Sequence, residues 1–286
     1  MSVRSSPFDL SGRLALVTGS TSGIGLGIAL KLAEAGANLM LNGFGDSAAA
    51  LAAVRAHGGK AAHHPADMSK PEEIEALIRT TEAEFGGIDI LVNNASAIWL
   101  RGTLETPMKR FDLMQQVNAR GSFLCAQACL PHLLEAPNPH ILTLATPPSL
   151  DPKWWGPHTG YTLAKMGMSF VTLGLAAEFG PRGVAVNALW PRTTIATAAV
   201  GNLLGGDAMM RASRTPEIMG DAAYAIITRP SREFTGHFCI DDKVLYANGV
   251  RDFEPYRVDP SVPLMSDFFV PDDDVPPPGV TVQALQ

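Results

Sequence analysis

Residues 13–36 read RLALVTGSTSGIGLGIALKLAEAG, and this stretch decides the fold. Leu14-Ala15-Leu16-Val17 is an apolar run too short for an isolated helix and closed by a Gly-rich turn, which predicts a buried parallel strand. Beyond the turn, Ile24, Ile28 and Leu32 recur at helical spacing until Gly36 stops the segment. Strand, turn and helix in this order aim backbone N–H groups and the positive end of the helix dipole above the turn, so an anion belongs there. Gly19 would allow the tight turn, Gly23 the close approach of a phosphate group, and Gly25 the packing of helix on strand. The spacing is GxxxGxG, and such a turn also occurs with no ligand. The residues downstream have to decide.

Composition sets outer bounds. The chain has 286 residues, 46% hydrophobic and 17% charged, enough to bury the core of one large α/β domain. A net charge of -6 with no basic block argues against nucleic acid. The opening MSVRSSPFDLSGR lacks an apolar h-region, and no stretch nears the roughly 20 apolar residues that span a bilayer. No export is expected, and the expected location is cytoplasmic. Cys125, Cys129 and Cys239 suggest no disulfide framework, and the first two, four apart in a helix, read as small buried hydrophobes. The seven histidines, His63-His64 included, show no ligand spacing, so no metal site is expected.

Along the chain, strands are predicted at 37–42, 61–67, 88–92, 140–145 and 184–189. Helices are predicted at 46–57, 69–85 with Ser69 as a possible N-cap, 106–135 with a break near Pro131, and 159–179. This alternation implies right-handed crossovers and a single doubly wound α/β domain, its parallel sheet covered by helices on both faces and its ligands at the carboxyl ends of the strands. Residues 1–255 would form that domain. The Gly-, Ala- and Met-rich stretch 201–215 looks mobile and close to the strand ends. Residues 256–286, with PDDDVPPP, form an acidic Pro-rich tail expected to be extended or disordered.

Further signals stand at predicted strand ends: Asp67 after the third, Asn93-Asn94-Ala95-Ser96 after the fourth, and Tyr161 with Lys165 on the helix after the fifth. Tyr161 and Lys165, four apart, share a helical face. Each has an ordinary alternative, since Asp caps helices, Asn-Asn makes turns and a Tyr/Lys pair decorates surfaces. Taken together with Asn118 and Asn187-Ala188-Leu189-Trp190-Pro191, they resemble the short-chain dehydrogenase/reductase family over about residues 10–245. Within it, residues 15–46 are similar to a 3-hydroxybutyrate dehydrogenase branch, whereas most of the chain from Gly86 onward is similar to a hydroxysteroid dehydrogenase-like branch. The stretch after residue 250 is too short for the sterol-carrier-like domain that some members carry.

The resemblance implies hydride transfer between a nicotinamide and a secondary alcohol or ketone on an apolar or acyl-like small molecule. Tyr161 would be the general acid/base, helped by the charge of Lys165, because a phenol with a pKa of ~10 is a poor base at neutral pH. Lys165 would also hold the nicotinamide ribose, and Asn118 would support a water relay. Where the family places a Ser that bonds the substrate oxygen, this chain has Thr146, favoured from strand register, or Ser149; a third outcome is that neither acts. The cofactor-binding set implied is Gly19, Thr21, Ser22, Gly23, Ile24 and Gly25 in the turn; Asn42 and Phe44 after the second strand; Asp67 and Met68 at the adenine; Asn94, Ala95 and Ser96 by the ribose; Tyr161 and Lys165; and Pro191, Thr193 and Thr194. The segment 42–46 and the turn contain no Lys or Arg to pair with a 2′-phosphate, which favours NAD over NADP. Arg192 reads either as a ligand for an acyl or carboxylate group or as a loop brace, and Trp154-Trp155 either as an apolar wall at the entrance or as loop packing. A homo-oligomer, tetramer or dimer, is expected through the long helices. Two alternatives stay open: a dinucleotide-binding sensor or assembly protein without turnover, and an enoyl-type reductase.

Overall fold

The computed structural model describes residues 9–284; the reading of the first eight residues lies outside the described part. Strand β1 (Leu14–Val17) is buried at all four positions, and the chain then alternates as its apolar pattern requires. Helix α1 (Gly23–Glu34), β2 (Asn38–Asn42), α2 (Ser47–Arg55), β3 (Ala61–His64), α3 (Pro71–Phe85) and β4 (Ile90–Asn93) make the first half. The second half runs α4 (Met108–Met114), α5 (Gly121–Leu133), β5 (His140–Thr143), α6 (Pro152–Trp155), α7 (Thr159–Phe179) and β6 (Ala185–Trp190). It continues through α8 (Ala198–Val200), α9 (Gly206–Arg211), α10 (Glu217–Ile227), β7 (Phe238–Ile240) and α11 (Asp241–Ala247).

These strands form one parallel seven-stranded sheet in the order β3-β2-β1-β4-β5-β6-β7. Order reverses between β1 and β4, where the chain leaves toward opposite faces and opens a crevice at the strand ends. Alternate residues of β1 divide the core: Ala15 and Val17 pack with Ile28 and Leu32 of α1, while Leu14 and Leu16 pack with Leu77, Cys129 and Leu133. Cys125 and Cys129 are indeed core residues, and burial pushes the Cys125 thiol up to about 12. Helices α1 and α10 cross closely enough that a Cβ on Gly220 would lie 2.6 Å from the Gly27 carbonyl oxygen.

Four local expectations are corrected. Ser69 does not cap α3: Lys70 holds the cap position, Pro71 follows, and the Ser69 amide bonds the Asp67 carboxylate instead. The long helical region is not broken at Pro131, which lies within the last turn of α5; the irregularity is a π-helical turn at Gln115–Arg120 that carries Asn118. Residues 201–215 fold into short helical turns over the strand ends. The tail is largely extended, as expected, but it is packed: Phe269 is fully buried, and β8 (Leu264–Met265) pairs with β9 (Val282–Gln283). Its composition hides a Phe268-Phe269-Val270 run that has apolar surface to bury. Among the described residues, no helix is long and apolar enough to cross a membrane, and no group of three or more His, Cys, Asp or Glu could hold a metal ion.

Candidate active site

The turn after β1 is cross-tied to the end of β4. Thr18 Oγ1 donates to the Val92 carbonyl and accepts from the Asn94 and Ala95 amides, while Asn94 Nδ2 donates to the carbonyls of Thr18 and Gly19. Gly19 sits at φ 63°, and a Cβ there would lie 2.9 Å from Ala95 Cα. A Cβ on Gly25 would lie 2.3 Å from the Gly19 carbonyl oxygen, so the start of α1 has no room for a side chain at that point. Ser22 makes no side-chain cap bond and no acidic residue stands in the first turn of α1. An N-terminus of this kind, with open backbone donors, fits a phosphate.

Above it lies a cavity of about 320 Å³ at the carboxyl ends of β1, β4, β5 and β6. Of the predicted residues, Gly19, Ser22, Gly23, Ile24, Asn94, Ala95, Ser96, Tyr161, Lys165 and Pro191 line it. Tyr161 and Lys165 come from α7, both nearly fully buried. Lys165 Nζ donates to the Leu144 carbonyl at 3.1 Å and lies 5.2 Å from the Trp190 ring centroid. Desolvation pulls the Lys165 ammonium down to about 8, against the opposing pull of the nearby Asp267 charge. Desolvation and, second, the same Asp267 charge hold the Tyr161 phenol well above its usual range.

Other predicted residues do not line the cavity. The Asn118 carboxamide bonds both backbone groups of Ala97, fixing the loop after β4 rather than facing the cavity. The side chain of Asn42 accepts from the Gly19 amide and donates to the carbonyls of His64 and Ala66, so it braces the turn. Thr21 Oγ1 donates to the carbonyl of Phe44, whose ring is exposed. Asp67 accepts from the Ser69 amide, and Met68 is buried against Cys125.

Neither candidate for the substrate-oxygen hydroxyl lines the cavity. Thr146 is fully buried with Oγ1 directed at Met166 Sδ, and Ser149 Oγ accepts from the Asp151 amide. Thr193 and Thr194 are sealed beneath the C-terminal segment, with the Thr194 amide bonded to the Met265 carbonyl. Arg192 is a brace rather than a ligand: its Nε donates to both oxygens of Asp242, and its Nη2 pairs with Asp274. Trp154 packs on Phe269 at 5.4 Å and Trp155 bonds the Ser149 carbonyl, so neither lines the cavity.

Sequence reasoning missed a whole wall. Leu144, Ile195, Thr197, Val200, Leu203 and Leu204 line the cavity, and so do Asp267 and Phe268 from the tail. The signal for the tail residues was the apolar 268–270 run inside an acidic, Pro-rich composition. Desolvation raises Asp267 to about 7, with the Phe268 amide and the Lys165 charge pulling the other way and Asp241 adding to the rise.

A family model described as Enoyl-(Acyl carrier protein) reductase matches residues 19–227. Hydroxysteroid dehydrogenase-like protein 2 of Danio rerio is 48% identical over 271 residues, which cover 91% of this chain and 64% of that protein. The chain thus spans less than two thirds of the length of this curated relative. A solved chain from Xanthomonas campestris, classed with the dehydrogenases, is 59% identical over 93% of this chain and 100% of its own, with a TM-score of 0.89. A metagenomic short-chain oxidoreductase in complex with NADP is 27% identical over 82% of this chain and 98% of its own, with a TM-score of 0.68. Through the family model over residues 19–227, the 48%-identical relative and the parallel sheet shared with the 59%-identical solved chain, this chain belongs to the short-chain dehydrogenase/reductase family.

Proposed function

We propose that this protein is an NAD-dependent oxidoreductase that interconverts a secondary alcohol and a ketone on an apolar or acyl-like small molecule. The observation that carries the reading is that Tyr161 and Lys165 line the same cavity as the Gly-rich turn at the start of α1. Bound nicotinamide would supply or accept the hydride. The glycine turn would hold the pyrophosphate, Asn94 to Ser96 the ribose side, and Lys165 the nicotinamide ribose. Tyr161 gives a proton to the carbonyl oxygen in reduction and takes it back in oxidation, with the Lys165 charge favouring the phenolate. Asn118 positions the loop that follows β4.

NAD is favoured over NADP because Asp46 at the end of the 42–46 segment caps α2 and Lys165 is the one cation among the residues lining the cavity. Ile98, Leu100, Trp190, Ile195, Leu203 and Phe268 suit an apolar substrate. Residues 1–255 would be the catalytic domain, with 256–286 as a segment that completes its cavity. The exposed Phe123, Leu163, Phe170 and Leu173 on α5 and α7 suit a homodimer or tetramer, and three unpaired cysteines suit the cytoplasm.

Calorimetric titration with NADH and with NADPH, on the wild type and on Tyr161→Phe, tests the reading. Expected is tighter NADH binding, retained in the variant, while reduction of acetoacetyl thioesters and cyclic ketones falls roughly 10²–10⁴-fold. Failure to bind either dinucleotide would remove the basis for the turn as a pyrophosphate site. A second reading, a dinucleotide-binding sensor without turnover, is favoured by the absence of Thr146 and Ser149 from the cavity lining. NADH binding with no reduction of any carbonyl offered would establish it. Faster turnover of a crotonyl thioester than of any ketone would instead favour C=C reduction, the activity named by the family model.

A further inference from the structure

We propose that Asp267 is the second group that hydrogen-bonds the reacting oxygen, in the place that neither Thr146 nor Ser149 reaches. The inference rests on the Tyr161 cavity being a carbonyl site. Asp267 enters that cavity on a backbone clamped from both sides: its own amide donates to the Arg192 carbonyl at 2.9 Å, and the Phe268 carbonyl accepts from Trp190 Nε1 at 2.7 Å. Its Oδ1 accepts from the Phe268 amide at 2.7 Å, whereas Oδ2 has no protein partner among the described residues. Asp267 Oδ2 is thus a carboxylate oxygen that the fold leaves unused, held on a clamped segment of the cavity wall that Tyr161 also lines.

The surroundings favour its neutral form. Ile98, Leu100, Trp190 and Phe268 give the cavity apolar walls, which solvate a carboxylate poorly. Charged and titratable groups face Asp267 from each neighbouring element. Tyr161 and Lys165 belong to α7, with His158 just before it, and Asp241 begins α11. Asp242 is neutralised by Arg192 and Arg214, while Lys165 forms no ion pair with Asp267 within 4 Å. Burial and the Asp241 charge therefore prevail, and the carboxyl rises to about 7. A neutral carboxylic acid in an apolar site can donate a hydrogen bond to a carbonyl oxygen beside a tyrosine.

The step balances without a further reagent. In reduction the carbonyl carbon receives a hydride from the bound dihydronicotinamide, the C=O π pair moves onto oxygen, and that oxygen takes its proton from Tyr161. Protonated Asp267 stabilises the developing charge through a hydrogen bond and keeps its own proton. An ionised Asp267 cannot donate and repels the alkoxide, so reduction weakens as pH rises through about 7.

The test compares the wild type, Asp267→Asn and Asp267→Ala across pH 5.5 to 9. Two readouts are used on the NADH-loaded enzyme: kcat/KM for reduction of acetoacetyl thioesters and cyclic ketones, and binding of cyclohexanecarboxamide, a carbonyl mimic that is not reduced. Expected for the wild type is a fall of about tenfold per pH unit above about 7 in both, set by one ionisation. The Asn variant, which donates at every pH, should lose that limb, and the Ala variant should be at least about tenfold slower at pH 6 with a flat profile. A wild-type limb that persists in the Asn variant, while Tyr161→Phe abolishes reduction, overturns the assignment to Asp267 alone. If the wild-type NADH complex neither reduces a ketone nor holds the amide, the carbonyl reading of the cavity fails and this assignment falls with it.

Discussion

The glycine turn and the C-terminal segment face each other across one cavity, yet they are held by different forces. The turn is fixed chiefly by backbone geometry, a positive φ at Gly19 and a Gly25 with no space for a Cβ, and is tied to the end of β4 by hydrogen bonds that Asn94 and the Ala95 amide donate to Thr18 and Gly19. The segment that delivers Asp267 is fixed by partners far away in sequence. Arg192 is 2% exposed and joins Asp242, which also pairs with Arg214, to Asp274 of the tail, and Trp190 bonds the Phe268 carbonyl. The first wall depends on steric permission and the second on buried charge, so they should fail under different substitutions.

The largest separation should come from Arg192→Ala. Removing this guanidinium breaks the bridge between Asp242 and the tail, leaving buried Asp242 with Arg214 and Asp274 with Lys243 as their remaining cations, which costs up to about 3–5 kcal/mol. Thermal unfolding should show the loss, and limited proteolysis should cut first within residues 264–284. Equal protection of that segment in the variant and the wild type would break the comparison. Gly25→Ala acts on the opposite wall. Its Cβ must displace the Gly19 carbonyl or Asn94, which costs roughly 1–3 kcal/mol and should weaken NADH binding while the tail stays protected.

Asp267→Asn should change stability in a pH-dependent way. The folded-state carboxyl is raised from 3.8 to about 7, so its contribution is intact below 3.8 and is lost as pH rises to about 7. Replacing it should therefore stabilise the fold more at pH 8 than at pH 5, by about 2–3 kcal/mol of unfolding free energy, read as a larger gain in Tm at pH 8. A gain of equal size at both pH values would mean that the carboxyl does not titrate there. The smallest effect is expected from Lys153→Ala, which breaks exposed pairs to Asp151 and Asp272 at the edge of the tail. Exposed pairs of this kind contribute under about 1 kcal/mol, and calorimetry should show a Tm within a degree or two of the wild type.

Much of the first wall was legible because it is written locally. Apolar runs of four or five residues, a Gly-rich turn and a Tyr/Lys pair at helical spacing each have a short-range physical cause, and α7 spans Thr159–Phe179 as its periodicity required. Strand register, however, did not tell which hydroxyl reaches the cavity. Thr146 follows the end of β5 closely, but its side chain turns toward Met166, a contact set by how α7 packs on the sheet. Thr193 and Thr194 are buried beneath the tail, whose Met265 carbonyl takes the Thr194 amide, and nothing near them in sequence encodes that cover.

The sequence by itself determined the parallel α/β fold, the position of the glycine turn and the presence of the Tyr161 and Lys165 pair, because each rests on spacing within a turn or a helix face. Only the tertiary structure decided that Arg192 is a brace, that Trp154 and Trp155 pack away from the cavity, and that Asp267 enters it. Those outcomes depend on an ion-pair network and an apolar Phe268-Phe269-Val270 run finding partners 50 to 115 residues away, and composition alone carries no record of which partners a segment will meet.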